Sequence, residues 1–354
     1  MTRLRPENWR IMSAKKITIN DVADEAGISV TTVSLVLSGK GRISPATASR
    51  VHQAIEKLGF VRNRSAAILR GSDSGVIGLI VRDICHPFYA EMTAGLSETL
   101  EKHGKVLFLT QSGERGQNLS RCFDSMIAQG VDGIVLAGGA EHAEEIAAEA
   151  RLTGKALVCA SHAFVLDDYD SVRPDNHSAG KIATEYLIKR GHHCIAWLGG
   201  SGASLTRAER IGGYCSSLLQ YGLPFRSEWI IECSSRQHHA VALTQQLIHQ
   251  YPMITAILCH DAAIATGCYF GILRSGRSMG KEGVDSYIGQ QMALVGFDAT
   301  SLSQLTDPPL VSVISSAREI GRRAAMSLLN RMADPRGDIQ HLIIPPALSE
   351  QGSA

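Results

Sequence analysis

The chain has 354 residues, of which 44% are hydrophobic and 19% are charged, and its net charge is +1. This composition is that of a soluble protein. The length predicts two or three domains, because single hydrophobic cores stop growing at roughly 250–300 residues. No segment has the apolar region of a signal peptide, and no run approaches the roughly 18 apolar residues of a membrane helix. We therefore expect a cytoplasmic protein.

The charge is unevenly distributed along the chain. Residues 12–71 contain nine Lys or Arg and four Asp or Glu, a net charge of +5, whereas residues 72–354 carry a net charge of −6. A basic N-terminal segment on an acidic body predicts a polyanionic partner for that segment alone.

The eight cysteines are spaced singly and lack the C-x-x-C pairs of zinc and redox sites. They are expected to be reduced thiols, most of them buried. His192, His193 and Cys194 form a cluster that suggests a metal, but neighbouring residues of a strand face opposite sides of a sheet. We therefore predict no metal site and no cofactor.

Residues 1–14 show no hydrophobic period and are expected to be a disordered extension. Three short amphipathic helices follow, each with a capping signal at its start and a glycine at its end. Two helices joined by a tight turn and supported by a third are typical of a helix-turn-helix, which we assign to residues 15–61. The start signals are Thr18 with Asp21, Ser29, and Ser44 with Pro45, and the terminal glycines are Gly27, Gly39 and Gly59.

Residues 62–75 are predicted to form a hinge helix and a flexible linker. Asn63 is the candidate N-cap of a helix of under two turns that includes Ala66 and Leu69. Such a short helix is unstable alone because helix nucleation is costly. It is expected to fold only against a partner.

From Val76 onward, short apolar runs alternate with longer helical patterns. This alternation predicts βαβ units and doubly wound parallel sheets. A segment of about 250 residues exceeds what one such sheet usually takes, so we expect two lobes with a crevice between them. The apolar runs are residues 76–81, 106–109, 133–136, 156–160, 195–198, 256–259 and 293–297.

Several motifs in both parts of the chain resemble the LacI/GalR family of transcriptional repressors. The resemblance extends over nearly the whole chain from residue 15 and implies an α/β two-lobed core like that of periplasmic binding proteins, with an N-terminal all-α helix-turn-helix domain. The motifs are ITINDVA at residues 17–23, AGIS at 26–29, TVS at 32–34, VIGLI at 76–80, DN at 175–176 and GFD at 296–298.

The resemblance also implies a function. It predicts a non-enzymatic, sequence-specific repressor of a carbohydrate operon, which binds a palindromic double-stranded DNA operator as a homodimer and has no membrane partner. A small effector, a sugar or a sugar derivative, is expected between the lobes. We assign residues 76–174 and 315–335 to the N-terminal lobe, and residues 175–314 and 336–348 to the C-terminal lobe.

The second helix of a helix-turn-helix lies in the DNA major groove, and the residues near its start contact the bases. By spacing, the candidate base readers are Val30, Thr31 and Leu35. Two of these are aliphatic, which favours contacts with thymine methyl groups. The phosphate and backbone candidates are Thr18, Ser29, Thr32 and Ser34. The alternative is a three-helix bundle that binds no DNA.

The hinge adds Asn63, Ala66 and Leu69 to the candidate DNA-binding residues. The resemblance implies that two Leu69 side chains wedge between base pairs in the minor groove and kink the duplex. The alternative is a short helix whose apolar stripe packs on its own body.

Ligands of doubly wound sheets bind beyond the carboxyl ends of the strands. A sugar needs aromatic faces for its CH surface and charged groups for its hydroxyls. The resemblance places Arg210 and Asp298 at ligand-binding positions, although each could instead form a structural ion pair. His260 stands where sugar-binding relatives commonly have Asn. The full candidate set is Phe88, Tyr89, Ser161, Thr206, Arg210, His260 and Asp298.

Two other classes of function stay open at this point. A solute-binding module would explain residues 76–354 but not the basic N-terminal segment. A sugar-modifying enzyme would need a convergent acid/base or nucleophile set, and the sequence contains none that we recognise. Whether the effector releases or tightens DNA binding is also open.

Overall fold

The computed structural model describes residues 17–38, 42–60, 73–113, 116–137, 143–160, 167–280, 291–298 and 305–349. The chain divides into two compact units, Met1–Ser72 and Asp73–Ala354, each of which is described by itself. Within the described ranges, no helix is long and apolar enough to cross a membrane.

The described part of the first unit contains three helices, α1 (Ile19–Ala26), α2 (Val30–Ser38) and α3 (Pro45–Leu58). They start at the predicted caps. The N–H and Oγ1 of Thr18 both donate to the carboxylate of Asp21, and the Oγ of Ser29 accepts the N–H of Thr32. These local bonds satisfy backbone donors that a helix start leaves unpaired, which explains why short helices form here.

The helices of the first unit pack around a small core. Val22, Val33 and Val51 are fully buried, with alanines from α1 and α3 beside them. Small side chains allow the helices to approach closely. The Lys57 ammonium of α3 also lies 2.7 Å from the Glu25 carboxylate of α1.

The second unit alternates strands with helices. Its strands are β1 (Val76–Val81), β2 (Val106–Gln111), β3 (Gly133–Ala137), β4 (Ala156–Ala160), β5 (Asp170–Pro174), β6 (Ile195–Leu198), β7 (Ile230–Ile231), β8 (Ala256–Cys259), β9 (Ser278–Met279), β10 (Gln291–Phe297), β11 (Val311–Ile314), β12 (His341–Ile344) and β13 (Ala347–Ser349). Its helices are α4 (Pro87–Lys102), α5 (Leu119–Ala128), α6 (Ala143–Thr153), α7 (Asn176–Lys189), α8 (Leu205–Gln220), α9 (Gln237–Gln250), α10 (Ala262–Arg274) and α11 (Ala317–Ala333).

The strands form two sheets, one in each lobe. The first sheet has the order β12-β5-β4-β3-β1-β2, and all its described pairs are parallel. The second has the order β13-β11-β10-β8-β6-β7, with β9 beside β10; among its described pairs, β13 is antiparallel to β11 and the others are parallel. This architecture confirms the predicted fold class.

The chain passes between the two sheets after β5, after β11 and between β12 and β13. The assignment of residues 336–348 to the C-terminal lobe is therefore wrong for β12, which pairs in parallel with β5 of the first sheet. Only β13 joins the second sheet. The reason is an anchor that the sequence does not reveal. Arg331 of α11 binds the buried carboxylate of Asp170 through Nε (2.8 Å) and Nη2 (2.9 Å), and Asp170 also accepts the N–H of Gln340.

Helices cover both faces of each sheet. In the second lobe, α7 and α8 pack so closely that a Cβ at Gly180 would lie 2.0 Å from the carbonyl oxygen of Arg210. A Cβ at Gly213 would lie 2.1 Å from the carbonyl oxygen of His177. These two glycines allow backbone-to-backbone contact and thereby fix the first turns of α8, which carry Arg210.

Candidate ligand cleft and nucleic-acid interface

The candidate DNA-reading residues lie on α2. Val30 and Leu35 are 39% and 37% exposed, and Thr31 is also exposed. Val33, between them in sequence, is fully buried. The helix therefore presents its predicted readers on the surface, and it presents Val33 and the partly buried Val36 to the core.

The candidate phosphate contacts take part in helix caps. The hydroxyl of Ser29 lies 2.9 Å from the hydroxyl of Thr32 at the start of α2, and Ser34 is half-buried one turn further on. The hydroxyl of Thr18 donates its proton to Asp21, so this side chain has no proton left for a phosphate in this conformation. Asn63, Ala66 and Leu69 lie outside the described residues.

In the second unit, Arg210 is the centre of a hydrogen-bond network. Its side chain is buried, with 5% exposed. Nε donates to Oδ1 of Asn176 (3.2 Å), Nη1 to the carbonyl oxygen of His260 (2.8 Å) and Nη2 to Oγ of Ser315 (3.3 Å). The guanidinium also lies over the ring of Phe297, 4.2 Å from its centroid. Arg210 therefore joins the loops that follow β5, β8 and β11.

Asp298 supplies the opposite charge. Its Oδ2 lies 3.8 Å from Nη2 of Arg210, and its two carboxylate oxygens accept the N–H and the hydroxyl of Ser315 at 2.9 and 3.2 Å. The backbone of Asp298 is left-handed, with φ of 56°, a conformation that Asp tolerates better than most residues. Asp298 directly follows β10, so its carboxylate lies at the carboxyl edge of the second sheet.

Asn176 also belongs to the hydrogen-bond network of Arg210, and the sequence analysis named it only as part of the DN motif. Its Nδ2 donates to Oε2 of Glu209 (2.9 Å), while its Oδ1 accepts from Arg210. The other carboxylate oxygen of Glu209 accepts from Arg173 at 2.9 Å. Burial lowers the pKa of Arg210, but Asp298, Asp261 and Glu209 oppose that effect, and an arginine remains protonated at neutral pH.

Residues of both lobes line one cleft with about 540 Å³ of empty space, open solvent included. All the predicted ligand residues that the structure describes lie in this lining; Ser161 is outside the described residues. The ring centroids of Phe88 and Tyr89 are 5.6 Å apart in an edge-to-face arrangement. The full lining is Arg82, His86, Phe88, Tyr89, Pro174, Asn176, Ser204, Thr206, Arg210, His260, Asp261 and Asp298.

The sequence prediction did not select Arg82, His86, Asn176, Ser204 or Asp261. The signal that could have found them is the strand-end rule itself, because each follows a strand or opens a helix at the carboxyl edge of a sheet.

Two histidines of the cleft are held neutral. Burial lowers the pKa of His260 to about 3, and the positive charges of Arg210, Arg207 and Arg82 contribute. Burial also lowers the pKa of His86. Because Nδ1 of His86 accepts the N–H of Phe88 at 3.3 Å, the neutral ring carries its proton on Nε2.

The cleft offers hydrogen-bonding and aromatic contacts to a ligand. The described residues contain no group of three or more His, Cys, Asp or Glu side chains that could hold a metal ion. The carboxylate of Asp261 accepts the N–H of Ile264 and the hydroxyl of Ser235, so it serves as a helix cap and not as a base. The described lining thus combines charged and polar side chains with the aromatic rings of Phe88 and Tyr89.

Both units of the chain match known protein families. Residues 74–351 match the sequence model of periplasmic binding proteins and the sugar binding domain of the LacI family, and residues 18–63 match that of bacterial regulatory proteins of the lacI family. The maltose regulon regulatory protein MalI of Escherichia coli is 50% identical over 336 residues, which is 95% of this chain and 98% of that protein.

Two solved structures are also similar. The lac repressor dimer bound to operator and the anti-inducer ONPF superimposes with a TM-score of 0.82 at 22% identity, covering 95% of this chain and 98% of that one. The complex of the transcriptional regulator CelR with cellobiose gives a TM-score of 0.69 at 25% identity, covering 94% of this chain and 98% of that one.

Proposed function

The chain belongs to the LacI family of bacterial regulatory proteins, and on that basis we propose that it is a ligand-controlled transcriptional repressor of a carbohydrate operon. It is a DNA-binding regulator and not an enzyme. The observation that carries the ligand-controlled part is the cleft around Arg210, in which a buried cation and aromatic faces meet between two lobes. The name of the 50% identical relative supports a maltose-linked operon. We place the repressor in the cytoplasm, with its DNA.

The DNA-binding part is proposed to comprise the helix-turn-helix of residues 15–61 and the hinge of residues 62–75. The exposure of Val30, Thr31 and Leu35 on α2 supports their role as base readers. A palindromic operator is read by two identical heads, so we propose a homodimer. In the hinge, Asn63, Ala66 and Leu69 are proposed to enter the minor groove, with Leu69 as the wedge.

In the core, we propose that the effector contacts Arg210 and Asp298 of the second lobe, with Phe88 or Tyr89 of the first lobe against its ring. Thr206 and His260 are proposed to bind its hydroxyls, together with Ser161. A guanidinium has five N–H groups, and described residues occupy three of those on Arg210. The others remain for ligand oxygens.

The proposed mechanism couples the cleft to the hinge. An effector that contacts both lobes changes the angle between them, and in a dimer this moves the two hinge segments relative to each other. A coupling free energy of about 1–3 kcal/mol is enough to change operator affinity by roughly 5- to 150-fold.

The test is DNA binding by the full-length protein, measured by fluorescence anisotropy with the DNA upstream of its own gene and repeated with a panel of sugars. We expect specific binding that weakens steeply with salt, since much of the affinity comes from phosphate neutralisation. We also expect at least one sugar to change the affinity. A decrease identifies an inducer and an increase identifies a co-repressor. Absence of specific binding to this DNA and to its palindromic segments would contradict the proposal.

Matched variants separate base reading from general DNA affinity. Thr31→Ala and Leu35→Ala are expected to reduce discrimination between bases by about 1–3 kcal/mol at the affected position while retaining non-specific binding. Gln53→Ala, at an exposed position on α3, serves as the control and is expected to change neither. Equal weakening on all sequences would show that Thr31 and Leu35 do not read bases.

A further inference from the structure

Arg82 is a cleft residue without an ion-pair partner among the described residues. It follows β1 directly, at the carboxyl edge of the first sheet, and its side chain lines the cleft. Its Nε is buried and has no hydrogen-bond partner in the described part of the chain. A buried donor on a permanent cation is costly to leave unsatisfied, so this position calls for an acceptor from outside the protein.

The acidic groups of the cleft do not meet this need. Both carboxylate oxygens of Asp261 accept bonds within the second lobe. Those of Asp298 accept from Ser315, and its charge lies beside Arg210. Asp83, the neighbour of Arg82, caps the turn that follows by accepting the N–H of Cys85 at 3.0 Å. Asp83, Asp261 and Asp298, the described carboxylates named above, therefore each have a partner other than Arg82.

Two further groups face the same space as Arg82. Nδ1 of His260 is buried and has no partner among the described residues. His86 holds Phe88 with Nδ1 and has an N–H on Nε2. Beyond the effect of burial, the charge of Arg82 lowers the pKa of both histidines, which places all three groups within electrostatic reach of each other. Arg82 and His86 come from the first lobe, and His260 comes from the second.

We propose that the effector is a sugar that carries an anionic group, a phosphate or a carboxylate, which Arg82 and His260 bind from opposite lobes. The inference rests on the proposed function and specifies its ligand class. Arginine forms strong, often bidentate bonds with such groups. Phe88 and Tyr89, which line the same cleft, supply a surface for the sugar ring.

The same arrangement explains why an anion would act as a signal. A neutral sugar that closed the cleft would remove water from Arg82 without offering a counter-charge, which is unfavourable. An anion contacted from both lobes instead favours the closed arrangement. A neutral analogue is therefore expected to bind weakly and to change operator affinity little.

The experiment measures calorimetric binding of matched neutral and anionic sugars to the full-length protein. The pairs are glucose with glucose 6-phosphate, maltose with maltose 1-phosphate, and glucose with gluconate, and inorganic phosphate is the sugar-free control. We expect at least one anionic member to bind about 10- to 100-fold more tightly than its neutral twin, the range of a hydrogen bond to a charged group. The phosphate and carboxylate pairs distinguish the two sources of charge.

Variants connect this preference to Arg82. Arg82→Gln is expected to remove the preference for the anionic twin, and Arg82→Lys is expected to restore part of it. Arg323→Gln is the control, because Arg323 is an exposed arginine on α11 that pairs with Glu319. A panel in which no anionic sugar binds more tightly than its neutral twin overturns the proposal. A preference that persists in Arg82→Gln does the same.

Operator binding by the same samples keeps this inference separate from the proposed function. If specific operator binding occurs and responds to a neutral sugar as strongly as to its anionic twin, the repressor stands and the anionic effector is refuted. If an anionic sugar binds through Arg82 but no operator is bound, the ligand class stands and the repressor function fails.

Discussion

The two walls of the cleft are built differently. On the second-lobe wall, Arg210, Asp298 and Asn176 are bound to each other or to neighbouring loops before any ligand arrives. On the first-lobe wall, Arg82 has a buried donor without a described partner. Phe88 and Tyr89 contribute aromatic rings to this wall. One wall is thus preorganised, and the other gains its polar contacts from the ligand.

The comparison indicates how binding energy can be converted into motion. A preorganised wall binds ligand with little ordering cost, so it supplies affinity. A wall whose polar group is satisfied only by the ligand supplies the difference in free energy between open and closed lobes, which is what shifts a conformational equilibrium. Substitutions on the second-lobe wall should therefore change both the free energy of unfolding and the ligand affinity. Substitutions of Arg82 on the first-lobe wall should mainly change the response to ligand.

The largest effect is expected at Arg210, where stability and binding coincide. Arg210→Ala removes three hydrogen bonds and leaves Asp298 without its cation. Breaking a buried charge pair in this way costs about 3 kcal/mol of unfolding free energy, and effector binding should lose a further 1–3 kcal/mol or so. Urea denaturation and calorimetry measure the two effects.

The control for this prediction is Arg323→Ala on α11, since Arg323 is 58% exposed and pairs with Glu319 of its own helix. It should change neither measurement appreciably. If Arg210→Ala were as stable as the control, the second-lobe wall would not be held together by this network.

Gly180 tests whether backbone contact positions Arg210. In Gly180→Ala the new Cβ would lie 2.0 Å from the Arg210 carbonyl oxygen, so α7 and α8 must separate. Overpacking of this kind costs about 1–3 kcal/mol, and we expect effector affinity to fall with it. Denaturation and calorimetry of the same variant measure this.

Gly212→Ala, on the facing helix α8, is the matched control. There the new Cβ would meet only Cδ2 of His177, at an ordinary 3.5 Å. Alanine also has the higher helix propensity, so this variant should be more stable than the wild type by about 0.5–1 kcal/mol. The two substitutions should change the free energy of unfolding in opposite directions. A stabilising Gly180→Ala would refute the close-contact explanation.

The pH dependence of stability probes His260. Its folded pKa is lowered from 6.5 to about 3 by burial and nearby arginines, so between these values the unfolded chain binds a proton that the folded chain does not. The free energy of unfolding should therefore fall as the pH drops from 6.5 towards 3, with a contribution approaching about 1.4 kcal/mol per pH unit.

His260→Gln should flatten this part of the stability curve, measured by urea denaturation at a series of pH values. His249→Gln, at an exposed position near the end of α9, should leave the curve unchanged. Equal slopes in the wild type and His260→Gln would show that His260 is not held neutral by the cleft.

The sequence predicted features that depend on local patterns. The caps of α1, α2 and α3 involve residues three positions apart, and strands such as β1 and β3 are continuous apolar runs. It missed β5, because DSVRP is polar and becomes a strand through contacts with distant residues: Arg331 binds Asp170, and Glu209 binds Arg173. The placement of β12 failed for the same reason.

For the cleft, the sequence indicated which loops meet but not how their side chains are bonded. The strand-end rule pointed to the loop that contains Arg82, but not to Asn176, because the sequence did not predict β5. It could not show that Asn176 joins Glu209 to Arg210, or that Arg82 is left without a partner, since both facts depend on side chains from three or more separate elements.

The smallest effect is expected at Thr206, which lines the cleft from the first turn of α8 and is half-buried. Thr206→Val keeps the branched shape and removes only the hydroxyl, so the stability of the lobe should hardly change. If the hydroxyl binds the effector, affinity should fall by about 0.5–1.5 kcal/mol, the net value of a typical hydrogen bond. Thr153→Val on α6, whose hydroxyl bonds its own helix, should leave affinity intact. Calorimetry decides between the two roles: unchanged affinity in Thr206→Val would assign this residue to the shape of the second-lobe wall and not to its contacts with the ligand.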